Sequence, residues 1–136
     1  MAQQHSLRQI YGGIQNNLGE LYRHLGRFRE ALAAYQIALD VAHEQQVTTS
    51  LVLSVANMGL AWLALGHLED AELCFREVLE MSQATPWDYV DNLVEVNNGL
   101  AEIARARGDF PTAWQYARTS EALARGGKLH FCLAKP

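Results

Sequence analysis

Cysteine is scarce in this chain, and the two that occur, Cys74 and Cys132, lie far apart with no C-x-x-C spacing. That excludes a thiol-based zinc site and a dithiol redox motif. Cys74 sits in a helical pattern beside Phe75, where a thiol acts as a small hydrophobe. Proline is nearly as rare, with 3 in 136 residues, and no Gly/Ser/Pro-rich linker divides the chain. One cooperative unit is expected. No apolar run approaches the roughly 18 residues of a membrane span, and the start, Met1-Ala-Gln-Gln-His-Ser, lacks the apolar core of a signal peptide. A reducing cytoplasm is the expected location, with no membrane partner. Clustered Lys and Arg are also missing. The densest basic stretch, Arg23 to Arg29, is diluted by apolar residues, and the formal net charge is −4. A nucleic-acid footprint is therefore not expected.

The groups that carry reaction chemistry are equally thin. His43-Glu44 begins like a zincin helix, but position 47 is Val, so the second histidine is missing. Gly126-Gly127-Lys128 is followed by Leu129, where a phosphate loop needs Ser or Thr. The carboxylates scatter over helix faces, and Glu72 and Arg76, four apart, read as a surface pair. No enzyme activity, metal or cofactor is expected.

What is present is repetition. Gly26-Arg-Phe-Arg-Glu-Ala31, Gly66-His-Leu-Glu-Asp-Ala71 and Gly108-Asp-Phe-Pro-Thr-Ala113 align with spacings of 40 and then 42 residues. Upstream of each stands an apolar-small pair, Leu18-Gly19, Met58-Gly59 and Leu100-Ala101, followed by Tyr22, Trp62 or Ala104. Four residues after the shared alanine comes Tyr35, Phe75 or Ala117. Between these marks the apolar period is helical: Phe28, Ala31, Leu32, Tyr35, Ala38, Leu39 and Ala42 share one face. The glycines end one helix, and the next begins at once, which forces antiparallel neighbours. Six helices are expected, over 5–25, 27–45, 49–65, 67–83, 86–107 and 109–125. Leu18, Tyr22 and Leu25 should face the core. Thr85 should cap a helix that opens at Pro86, and Gly126-Gly127 should stop the last one.

This pattern resembles the tetratricopeptide repeat, L-G-x-x-Y followed by a turn and A-x-x-x-F. The match runs over about residues 12 to 125 and weakens in the third copy. The first signature position, usually Trp, is Gln15, Val55 or Asn97, and the closing proline is absent. The long period is similar to the variants in kinesin light chains and in bacterial regulators of the MalT type. The resemblance implies an all-α, right-handed superhelical stack of three antiparallel helix pairs. It would form one domain over 1–127, with repeats at about 12–51, 52–93 and 94–127. Residues 128–136 would be a tail: a cap, a contact between subunits, or the start of a linker in a longer protein. The outer side of the last helix should be partly apolar.

The resemblance also implies a binding face on the first helix of each pair. Its stripes are Gly13, Asn17, Glu20 and His24, with Asn16 and Arg23 alongside; Leu53, Asn57, Leu60 and Ala64; and Glu95, Gly99, Glu102 and Ala106, with Asn98 and Arg105 alongside. Asn17 and Asn57 hold equivalent positions, and an amide can both donate to and accept from a peptide backbone. The alternative is that these amides bond to neighbouring helices. The cations that clamp a terminal carboxylate in chaperone-binding relatives are replaced by Asn16, Glu20, Glu95 and Gly99, so a neutral or mildly basic peptide or protein segment is the expected ligand. Two alternatives stand beside this scaffold reading. One is an effector-sensing module of a larger signalling or transcription regulator. The other is self-association, with a homodimer formed through the C-terminal helix and tail.

Overall fold

The computed structural model describes the backbone of residues 2–134 and the side chains of residues 3–126. The described residues form six α-helices: α1 (Ala2–His24), α2 (Phe28–Gln45), α3 (Thr48–Ala64), α4 (Leu68–Met81), α5 (Val90–Ala106) and α6 (Phe110–Ala134). A 3-10 turn, Pro86–Tyr89, precedes α5. No strand occurs among the described residues. Helices pair as α1/α2, α3/α4 and α5/α6, and the pairs stack through α2 on α3 and α4 on α5. The three-pair, all-α stack expected from the repeats is the fold observed.

The hairpin turns follow from their glycines. Gly26, Gly66 and Gly108 have φ of 77°, 81° and 79°, a left-handed conformation that side chains resist. Each closes the same pair of bonds. Gly26 and Arg27 donate to the carbonyls of Arg23 and Tyr22, at 3.0 and 2.8 Å, and the turns at Gly66 and Gly108 repeat this. Two of the orphan carbonyls at each of these helix ends are thereby satisfied.

The core runs along the stack. Tyr35 and Phe75 are fully buried, as their repeat positions require, while Tyr22 and Trp62 are half-buried beside them. The small-residue positions work as gaps for the rings: a Cβ on Gly19 would strike Tyr35, and one on Gly59 or Gly99 would strike Phe75. Cys74 is partly buried, and its thiol is pushed up to about 11, by burial above all and then by nearby Glu77 and Asp70. It is a protonated packing group at neutral pH.

Three expectations need correction. Leu18 and Leu25 are not in the core; they are 38% and 69% exposed. They lie on the side of α1 where later repeats meet a preceding helix, and no described element occupies that place. Thr85 makes no side-chain cap, and Pro86 opens a 3-10 turn rather than the α-helix itself. Gly126-Gly127 does not end the last helix, because α6 continues to Ala134. The side chains of Cys132 and the rest of the tail lie outside the described residues. The outer side of α6 is partly apolar, with Phe110 and Trp114 each 64% exposed.

Candidate functional site

Helices α1, α3 and α5 carry the stripes read from the sequence. Helix geometry separates each stripe from the residues beside it. Asn16 is 8% exposed, and its Oδ1 accepts from the hydroxyl of buried Ser54 at 3.3 Å, tying α1 to α3. That corrects its expected place on the open face. Asn97 is likewise buried, its amide donating to the Leu93 carbonyl at 2.8 Å. Asn17 and Asn98 are exposed and Asn57 is half-buried, and none of their amides has a hydrogen-bond partner among the described residues. Glu20, His24, Glu102 and Arg105 are exposed, and Leu60 is half-buried.

The stack brings Asn16, Asn17, Leu60, Asn98, Glu102 and Arg105 into three concavities, whereas Glu20, His24 and Asn57 line none of the three. One of about 240 Å³ lies where α1, α2 and α3 meet and is lined by Gly13, Asn16, Asn17 and Leu53. Gln45 also lines it. The Gln45 amide donates to the His5 carbonyl at 2.9 Å, and its buried Oε1 has no partner among the described residues. A second, of about 190 Å³, joins Leu60 and Leu63 of α3 to Glu95, Asn98, Gly99 and Glu102 of α5. A third, of about 500 Å³, sets Asn98, Glu102 and Arg105 against the outer face of α6.

Charge converges on the same side. Arg23 Nε of α1 donates to the Tyr35 hydroxyl of α2 at 3.3 Å. Glu20 of α1 and Glu95 of α5 both act on that hydroxyl, which burial pushes above the ordinary tyrosine range. Glu20 and Arg23 of α1 therefore lie near enough to Glu95 of α5 to act on it, although three helices, α2 to α4, stand between α1 and α5 in the chain. Glu95 is raised chiefly by partial burial; Arg23 opposes the rise, while Glu20 and Asp91 add to it. The face is net acidic. It contains no nucleophile–base arrangement, and no group of His, Cys, Asp and Glu among the described residues is arranged to hold a metal.

Gly99 aligns with Asn17 and Asn57 and lines the second concavity, but it also packs on Phe75, whose ring leaves no room for a Cβ. The row of amides thus shifts to Asn98 in the third repeat. Gln9, Gln45 and Ser50, which line the first concavity, went unseen because they fall outside the repeat signature.

Comparison with known proteins agrees with this geometry. The chain aligns over 110 residues with separin from Emericella nidulans at 24% identity, a match that takes in 81% of this chain but only 5% of separin. The fold superposes on the TPR domain of Arabidopsis FLU with a TM-score of 0.78 at 18% identity, covering 87% of this chain and 98% of that domain. No helix of the described residues is long and apolar enough to cross a membrane. A family profile described as tetratricopeptide repeat matches residues 11–84. With the repeated glycine turns, the ring-accepting small residues and the stacked helix pairs, that match establishes that the chain belongs to the tetratricopeptide repeat family.

Proposed function

We propose that this chain is a protein–protein interaction scaffold that holds an extended peptide or protein segment across α1, α3 and α5. The observation that carries this reading is the split among the asparagines. Those turned toward neighbouring helices, Asn16 and Asn97, are buried and bonded. Those on the open side, Asn17, Asn57 and Asn98, have no partner among the described residues. The alternative for Asn17 and Asn57 is a bond to a neighbouring helix, and among the described residues neither makes one. A peptide main chain offers both the donor and the acceptor such amides need. The net-acidic surroundings of Glu20, Glu95 and Glu102 favour a neutral or mildly basic segment.

The test is to pan a displayed peptide library against the protein. Enriched peptides are expected to be neutral or basic, and to bind the Asn17→Ala/Asn57→Ala variant about tenfold or more weakly, at unchanged helicity. Neither side chain is bonded within the scaffold, so the variant is expected to keep its fold. Peptides that are strongly acidic, or that bind both proteins equally, would place the binding surface elsewhere.

A further inference from the structure

The repeat register assigns each helix the same stripe at equivalent positions. On α5 and the turn before it, Tyr89, Leu93, Val96, Leu100 and Ile103 are all buried. On and beside α3 the equivalents are Val47, Leu51, Ser54, Met58, Ala61 and Leu65, buried or half-buried, with the last three packed on Ala31, Leu32 and Tyr35 of α2. On and beside α1 they are Leu7, Tyr11, Ile14, Leu18, Leu21 and Leu25, between 38% and 69% exposed. An apolar stripe of this length on the surface marks a contact site.

The matching half of that interface stands at the opposite end. Phe110, Ala113, Trp114 and Ala117 of α6 hold the positions that Phe28, Ala31, Leu32 and Tyr35 hold on α2. There the α2 residues receive α3. Here they line the open cavity of about 500 Å³ beside Ala101.

From this we infer that a second copy of the chain docks head to tail, its α1 stripe seated on the outer face of α6. Both surfaces are halves of a packing that the chain makes internally between successive repeats. Their sizes also complement. Within the stack, bulky Tyr35 and small Ala61 share one cluster. Across the new contact the same positions are small Ala117 and bulky Leu21, so the volume is exchanged rather than lost. The second copy's α1 would continue the stack in the direction that α3 and α5 already follow. Because the two patches differ, the contact is heterologous, and because it prolongs the stack each added copy leaves one free patch at either end, so assemblies lengthen with concentration. Asn98, Glu102 and Arg105 border both this cavity and the groove, but Asn17 and Asn57 lie on neither patch, so the Asn17→Ala/Asn57→Ala variant tests the groove reading without touching this contact.

Sedimentation velocity of the 136-residue chain over a concentration series tests this. The unaltered protein is expected to show a sedimentation coefficient that rises past the dimer. Leu21→Glu and Ala117→Glu, both at exposed positions, should each be monomeric with unchanged helicity. Their equimolar mixture should form a 1:1 dimer and stop there, since one copy supplies an intact tail and the other an intact head. Leu18→Glu serves as a second head variant should Leu21→Glu lose helicity. A protein that stays monomeric at the highest concentration would overturn the inference. So would an Ala117→Glu variant that still dimerises while Leu21→Glu does not, which would mean symmetric pairing of α1 with α1. A mixture of the two variants that remains monomeric would overturn it as well.

Discussion

Phe75 is fully buried, with Gly59 of its own repeat on one edge and Gly99 of the next on the other. A methyl group at either glycine meets the ring, and a ring with no exposed side has nowhere to retreat. Overpacking of this kind costs about 1–3 kcal/mol, against a helix-propensity gain of about 1 kcal/mol for Gly→Ala. Gly99→Ala is therefore expected to lower stability by up to about 2 kcal/mol, read as a lower urea midpoint at unchanged slope. Gly13→Ala should do the opposite. Nothing lies within 4 Å of its would-be Cβ, so the propensity gain of up to about 1 kcal/mol stands alone. The same residues show what was legible in the sequence. Gly19 and Gly59 were readable as gaps because the repeat signature places them beside an aromatic. Gly99 was not, because its ring comes from the preceding repeat. A position that must be empty for Phe75 leaves no space for an amide, whatever it aligns with.

Each helix end reads differently. Three turns close on glycine in the left-handed conformation and were visible as punctuation in the sequence. The link from α2 to α3 uses the same bonds, Gln46 donating to the His43 carbonyl at 3.2 Å and Val47 to that of Ala42 at 3.1 Å. Its left-handed residue is Gln46, at φ 55°, and nothing in the sequence marks it. Gln46→Gly should relieve the Cβ strain and raise stability by about 0.5–1 kcal/mol, partly offset by a freer unfolded chain; a thermal melt would detect it. Between α4 and α5, a carboxylate spans two elements. Glu72 accepts from Arg107 at 2.9 Å and from Arg76 at 3.1 Å. The pair with Arg76 followed from helical spacing, whereas Arg107, from the end of α5, required the fold. Arg107 is the main cause of the depressed Glu72 carboxyl, with Arg76 adding to it against partial burial. A depressed acid stabilises the fold above its unfolded range, and that contribution is lost as pH falls through the folded value. Glu72→Gln should cost about 1 kcal/mol near neutrality, less at high salt and nothing at acid pH, measured by denaturation at paired pH values.

The order of the stack was legible from one glycine and one alanine per repeat, because each pair has only one short way to turn back. Its two ends were not. Whether Leu18 is core or surface depends on a neighbouring helix, and the pattern within α1 is the same in either case. The approach of Glu20 and Arg23 on α1 to Glu95 on α5 was also invisible, since it follows from how successive pairs stack and not from any local spacing. It is there that the charge balance becomes a measurable property. Partial burial holds the Glu95 carboxyl above the ordinary glutamate range, Arg23 pulls it back, and Glu20 and Asp91 push it up again. A Lys- or Arg-bearing peptide in this groove stabilises the ionised form, so binding must release a proton where Glu95 is still protonated. Affinity for such a peptide is expected to rise as pH climbs from the ordinary glutamate range through the raised Glu95 value, and to level off by neutral pH. Fold stability should move the other way. An acid with a raised folded pKa binds its proton more tightly in the native state, so its contribution falls as pH rises through the same window. Glu95→Gln should flatten both trends and weaken binding at neutral pH. Calorimetric titrations of one basic peptide in buffers of different ionisation enthalpy would count the released proton directly. A proton count of zero across that window would mean that Glu95 does not face the ligand.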